Sequence, residues 1–142
     1  MSNKFAGLGV AVDAPARMII LHPSTGQPLR NADTGEAAWI ELLSADSAAA
    51  RAHQREAQNR RLRARARSIT AETLEADGTE LLATLTRGWS LVTLDGTPID
   101  VPCTPENARE LYSAPDLGFI RRQVDEFVAD LGNFPVKTTS PS

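Results

Sequence analysis

Cys103 sits immediately ahead of a helix start at Thr104, a position where backbone amides lower a thiol pKa and so favour a nucleophile. Such chemistry also needs a base. His22, in a turn before Pro23, and His53, in a helical run, have no spacing that brings either to the thiol. The residue therefore reads as a small, half-buried structural cysteine, the common state of an unpaired one. Glu126 and Asp130 stand four apart and invite an acid/base reading, but no metal-binding histidine or other polar group converges on them, which leaves a solvated helix face. Gly7-Leu8-Gly9 lacks the third glycine, the preceding strand and the following helix of a dinucleotide fingerprint. One cysteine and two histidines supply neither an internal disulfide nor a structural zinc site. No nucleophile has its base, so no enzyme activity, cofactor or metal is expected.

The densest chemical feature is a run of arginines at 51, 55, 60, 61, 63, 65 and 67, relieved by Glu56 and with Leu62 as its one large apolar residue. Such a helix neutralises phosphates and releases counterions. At about 100° per residue, however, Arg60, Arg63 and Arg67 fall on one side while Arg51, Arg55, Arg61 and Arg65 fall largely on another. No aromatics are interleaved for base stacking, and the segment from Glu72 to Asp130 is strongly acidic. The run fits a solvated charged helix, or one that docks an acidic surface in the same chain or a neighbouring copy, better than a nucleic-acid reader. Arg55, Arg60, Arg63 and Arg67 are the candidate contacts, together with Trp39 in the N-terminal ribbon. Ala50, Ala57 and Ala64 line up at spacings of seven as a narrow seam that another helix can approach closely.

The elements that carry these residues follow from pattern and punctuation. At 142 residues with 42% apolar and 5% aromatic content and a net charge of -3, the chain predicts one modest core with extended parts attached. No apolar run is long enough for a transmembrane helix, and the N-terminus has no secretory pattern, so a cytosolic protein without a membrane partner is expected. Residues 1–16 read as a flexible arm. Residues 17–45 read as a β-hairpin, with strands at Met18–Leu21 and Ala38–Leu43 joined through a turn-rich connection. A helical region covers 46–88, opened by Asp46 and Ser47 as caps and running helically through about Arg67. From Ile69 an acidic segment regains helical apolar spacing, with Asp77-Gly78 predicting a kink or restart and Gly88 a stop.

Residues 89–134 form the C-terminal module. Trp89, Leu91, Leu94, Ile99 and Val101 lie around Asp95-Gly96, a favoured hairpin turn. Thr104 caps a helix with Pro105 at its first position, and Ala108, Leu111 and Tyr112 form its buried side. A last helix from Asp116 carries Ile120, Val124, Phe127, Val128 and Leu131 on one stripe and ends at Gly132-Asn133. Trp89, Leu111, Ile120, Val124, Phe127 and Leu131 are the expected core. Residues 135–142 read as a disordered tail. The fold class predicted is α+β, a mainly helical body with an N-terminal hairpin, a long arginine-rich helix and a C-terminal hairpin plus two-helix module.

The order of Gly88-Trp89, Asp95-Gly96, the run TPENARELY from Thr104 and FIRRQVDEFVADLGNF from Phe119 resembles the small tail assembly chaperones of tailed bacteriophages and prophages. The strand at Met18–Leu21, the turn His22-Pro23-Ser24-Thr25-Gly26, a second strand ending near Leu43 and a long polar helix opened by Asp46-Ser47 extend the resemblance over about residues 17–134. The dense arginine helix is the one departure. The resemblance implies the short form of a non-enzymatic protein that escorts the tape measure protein while the tail tube polymerises, with tail tube protein reached directly or through a frameshifted longer form. It also implies a cleft or exposed apolar face for amphipathic segments, work in the bacterial host cytoplasm, and absence from the mature virion. A structural tail or head-completion component retained in the virion, an arginine-rich nucleic-acid-binding regulator, and self-association remain as alternatives.

Overall fold

A computed structural model gives the fold and describes residues 5–64 and 70–136. Four strands, β1 (Ala16–Ile19), β2 (Trp39–Leu42), β3 (Thr86–Val92) and β4 (Pro98–Ile99), form one antiparallel sheet in sequential order. Four helices accompany it: α1 (Ala48–Arg63), α2 (Ala71–Leu85), α3 (Pro105–Ser113) and α4 (Gly118–Ala129). The architecture is α+β with helix in excess of strand.

β1 and β2 pair as the predicted N-terminal hairpin, with Met18 opposite Ile40 and Ile19 opposite Trp39. Their connection holds two tight turns of its own, His22 to Gln27 and Asn31 to Glu36, with Gly26 at φ 71° and Gly35 at φ 75°. Nδ1 of His22 accepts the Ser24 amide and Oδ1 of Asn31 accepts those of Asp33 and Thr34, so both residues fasten turns. β2 also pairs with β3, setting Ile40 opposite Trp89. The two hairpins are therefore halves of one sheet, and one core runs through both. Inward-facing Met18, Ile20, Ile40 and Leu42 meet Leu82 and Leu85 of α2, Ala108 and Tyr112 of α3, and Ile120, Val124 and Val128 of α4. Each large side chain fully removed from water there contributes about 1.5–3 kcal/mol.

Local caps begin three of the four helices. Ser47, Thr70 and Thr104 each accept from the amide three residues on, satisfying a donor that the first helical turn leaves free. α1 ends at Arg63, short of Arg67; Arg65 and Arg67 lie outside the described residues. It buries only Ala50 and Ala57, while Ala64, the third member of the seam, is its exposed C-cap. α1 packs on α2, where Asp77 receives Arg61 at 2.7 Å and Arg60 at 3.7 Å.

Several expectations are corrected. α2 runs unbroken through Asp77-Gly78, and Arg121 of α4 lies against it there, bonding Glu75 O and Thr79 Oγ1 and filling the space a Cβ at Gly78 would need, 2.8 Å away. Gly88 stops no helix and pairs with Glu41 inside β3. α2 ends at Leu85, and the side chain of the next residue, Thr86, bonds both Leu82 O and the buried Tyr112 hydroxyl at 2.7 Å. Leu131 is 41% exposed, since the backbone leaves the helical path at Asp130 (φ -101°, ψ 105°) and breaks the phase that put Leu131 on the stripe. Phe127, Trp89 and Leu111 are half-buried and pack against the core, with the Phe127 ring edge-on to Phe134 at 5.6 Å. Much of the N-terminal arm is tied down: Val10 pairs with Val136, Ala11 N–H donates to Pro135 O at 2.8 Å, and Asp13 Oδ1 accepts the Ala48 amide at the start of α1. Residues 1–4 and 137–142 of the predicted arm and tail lie outside the described residues.

Candidate functional site

The C-terminal hairpin and the helices behind it enclose an apolar depression. The Asp95-Gly96 turn, with Gly96 at φ 92°, returns the chain from β3 to β4. A Cβ at Gly96 would stand 2.7 Å from Arg30 O and 2.9 Å from Ala32 N. Only glycine lets the turn dock there, where Gly96 O accepts the Ala32 amide at 2.9 Å. Beyond β4, Trp89 Nε1 donates to Val101 O at 2.8 Å and Asn107 Nδ2 to Pro102 O at 2.9 Å, holding the crossover against β3 and α3.

Two adjoining hollows result, of about 390 and 300 Å³, and Leu91, Ile99, Leu111 and Leu117 line both. The larger reaches the buried floor at Ile20, Leu29 and Ile120, with Phe119 at its side. Leu94, Ile99 and Val101 are 54%, 38% and 41% exposed at the rim. Glu110 and Asp116 stand at the edges. An apolar trough with a few polar groups on its margin suits the apolar face of a peptide helix rather than a charged small molecule.

Trp39 lies elsewhere, half-buried on the sheet face opposite the core, where its ring carries the Arg17 guanidinium at 3.8 Å and Gly88 approaches its edge. The same Arg17 reaches Glu41 at 3.4 Å. Arg55 and Arg63 are exposed and have no ion-pair partner among the described residues, whereas Arg60 is drawn to Asp77. The candidate contacts thus fall into separate places: Trp39 on the outer sheet face and the arginines along α1. Ile120 joins both the core and the trough floor; Val124 is fully buried.

None of the trough residues belongs to the sequence-based contact set; among them, Leu117 and Phe119 carry only a weak local signal, two apolar residues flanking Gly118 ahead of the helical stripe. Their role depends on a short 3-10 turn, Pro115–Leu117, that turns the chain from α3 into α4.

Cys103 is half-buried, and burial pushes its thiol above the ordinary value, the reverse of an activated nucleophile. Burial also drives the Tyr112 hydroxyl far up, and the Asp125 carboxyl is raised by burial against the opposing pull of Arg121. Asp95 is held low by hydrogen bonds from Thr93 and Thr97, so its charge belongs to the turn. Among the described residues no cluster of three or more His, Cys, Asp or Glu is placed to hold a metal ion, and no helix is long and apolar enough to cross a membrane. Comparison with protein-family models, with curated proteins and with solved structures gives no match to this chain.

Proposed function

We propose that this protein is a non-enzymatic tail assembly chaperone of the bacteriophage or prophage type, which binds amphipathic helical segments of a tape measure protein and assists tail tube polymerisation around it. The observation that carries this reading is the continuous apolar trough between the C-terminal hairpin and the α3–α4 corner, floored by Leu29 and Ile120 and rimmed by exposed Leu94, Ile99 and Val101. It supplies the kind of surface that the resemblance over residues 17–134 calls for: a groove for the i, i+3, i+4 face of a helix. On this reading the protein acts in the host cytoplasm during assembly and leaves before the particle is complete.

The test is co-expression with the tape measure protein of the same genome, comparing the parent with Leu94→Asp and Ile99→Asp. Both positions are solvent-accessible at the rim, so each variant should fold, melt near the parent and lose co-purification. Capture equal to the parent's would refute the trough as the binding surface. Abundant stoichiometric copies in purified particles would instead make the protein a structural virion component. A tail tube gene upstream and a long helical tape measure gene downstream are the expected gene neighbours.

A further inference from the structure

β1 pairs on one side only, with β2, and is an edge of the sheet. Antiparallel pairing alternates the direction in which successive residues turn their backbone groups. The Ile20 amide donates to Ala38 O at 3.0 Å, so the even-numbered residues of this segment face β2. Arg17 and Ile19 therefore turn N–H and C=O away from the sheet. Leu21 obeys the same alternation: its N–H donates to Gln123 Oε1 at 2.9 Å and its C=O accepts from Gln123 Nε2 at 3.0 Å. One side-chain amide from α4 thus stands where a neighbouring strand would, for one residue. On that side Arg17 and Ile19 have no backbone partner among the described residues.

Alongside the open edge runs a shallow groove of about 400 Å³, with Met18 and Ile19 on one wall and Glu126, Phe127 and Asp130 of the α4 end on the other. Ile19 is 41% exposed. Glu126 and Asp130 are exposed, and no cation pairs with either among the described residues; Asp130 spends Oδ1 on the Gly132 amide. The groove therefore asks for three things at once: an extended backbone for the edge, apolar side chains for Ile19 and Phe127, and positive charge for the two carboxylates.

We propose that this edge takes an extended segment of another protein, with apolar and basic residues in alternation, added to β1 as a further strand. The site shares no lining residue with the apolar trough and does not depend on it. Charge favours a foreign strand over a second copy. Two β1 edges placed antiparallel would set their Arg17 side chains on one face as cross-strand neighbours, a like-charge contact that destabilises pairing.

The probe is a capped peptide of alternating valine and lysine, titrated into isotope-labelled full-length protein while amide shifts and hydrogen exchange are followed. Binding should shift and protect the Arg17 and Ile19 amides, and a peptide with glutamate in place of lysine should leave them unchanged. The double variant Glu126→Gln/Asp130→Asn alters only exposed groups and should weaken binding roughly three- to tenfold. The proposal is overturned by unperturbed Arg17 and Ile19 amides at millimolar peptide, or by equal affinity of the double variant. Protection of those two amides that grows with protein concentration and without peptide would give the edge to a second copy, and would equally overturn it.

Discussion

Helices α1 and α4 are both attached to the sheet-centred core, yet by opposite means. α4 buries Ile120, Val124 and Val128 and adds two polar fasteners, Gln123 to the β1 edge and Arg121 to α2 and α3. α1 is longer and buries nothing larger than alanine. Its attachment rests on two small residues that permit close approach to α2, on the Asp77 ion pairs, and on the caps at Ser47 and Asp13. Exposed ion pairs contribute little, and a helix without an apolar stripe gains little from burial. The contrast implies that the core can survive changes in α1 that would be ruinous in α4.

The largest effect is expected at Val124, which is fully buried. Val124→Ala should lower unfolding free energy by about 2–3 kcal/mol, from lost transfer energy plus the cavity left behind, as read by denaturant melts. An unchanged midpoint would mean that α4 is no more central than α1.

Next comes Arg121. Its guanidinium donates to Thr79 Oγ1 at 2.8 Å, Tyr112 O at 3.1 Å and Glu75 O at 3.2 Å, joining three helices. Arg121→Ala should cost about 2 kcal/mol, because partly buried acceptors lose a charged donor. The same variant sharpens the account of Gly78. Once Arg121 is gone, Gly78→Ala should stabilise by about 1 kcal/mol through helix propensity, whereas in the parent the new methyl must displace the guanidinium and the gain should be smaller. A double-mutant cycle with no coupling would remove Arg121 as the reason for that glycine.

These residues mark what was legible in the chain. The caps at Ser47 and Thr104, Pro105 at the first position of α3 and the tight turn at Asp95-Gly96 are formed within four residues and follow from pattern alone, whereas the docking of Gly96 on Arg30 and Ala32 does not. Gly78 looked like a breaker because its partner is 43 positions away, between Gly78 and Arg121, beyond any local window. The β2–β3 pairing has the same character: it joins strands separated by two helices, so the hairpins looked like separate parts. Leu131 shows a different limit. Helical periodicity says which residues share a face only while the helix lasts, and this one ends two residues earlier. The trough was foreseeable only as an implied apolar cleft, since its walls come from β3, β4, α3 and α4 together.

Within α1 the seam is the sensitive feature. Ala57 is 6% exposed on the helix that packs against α2, so Ala57→Leu should cost about 1–2 kcal/mol by overpacking that site. A neutral result would show that α1 can shift outward, and that its close approach to α2 is incidental.

The smallest effect is expected from the feature most conspicuous in the sequence. Arg51, Arg55 and Arg63 are exposed and unpaired among the described residues, so replacing all three with glutamine should change stability by less than about 0.5 kcal/mol per site. Relief of like-charge repulsion along the helix even favours a slight gain. Any affinity of the parent for DNA or RNA should be weak, steeply reduced between low and physiological salt, and insensitive to sequence, because separated arginines neutralise phosphates without reading bases. The triple variant should lose that residual binding while its thermal midpoint stays with the parent's. A sequence-selective complex that survives physiological salt would reverse the comparison, making α1 the functional helix and α4 its scaffold.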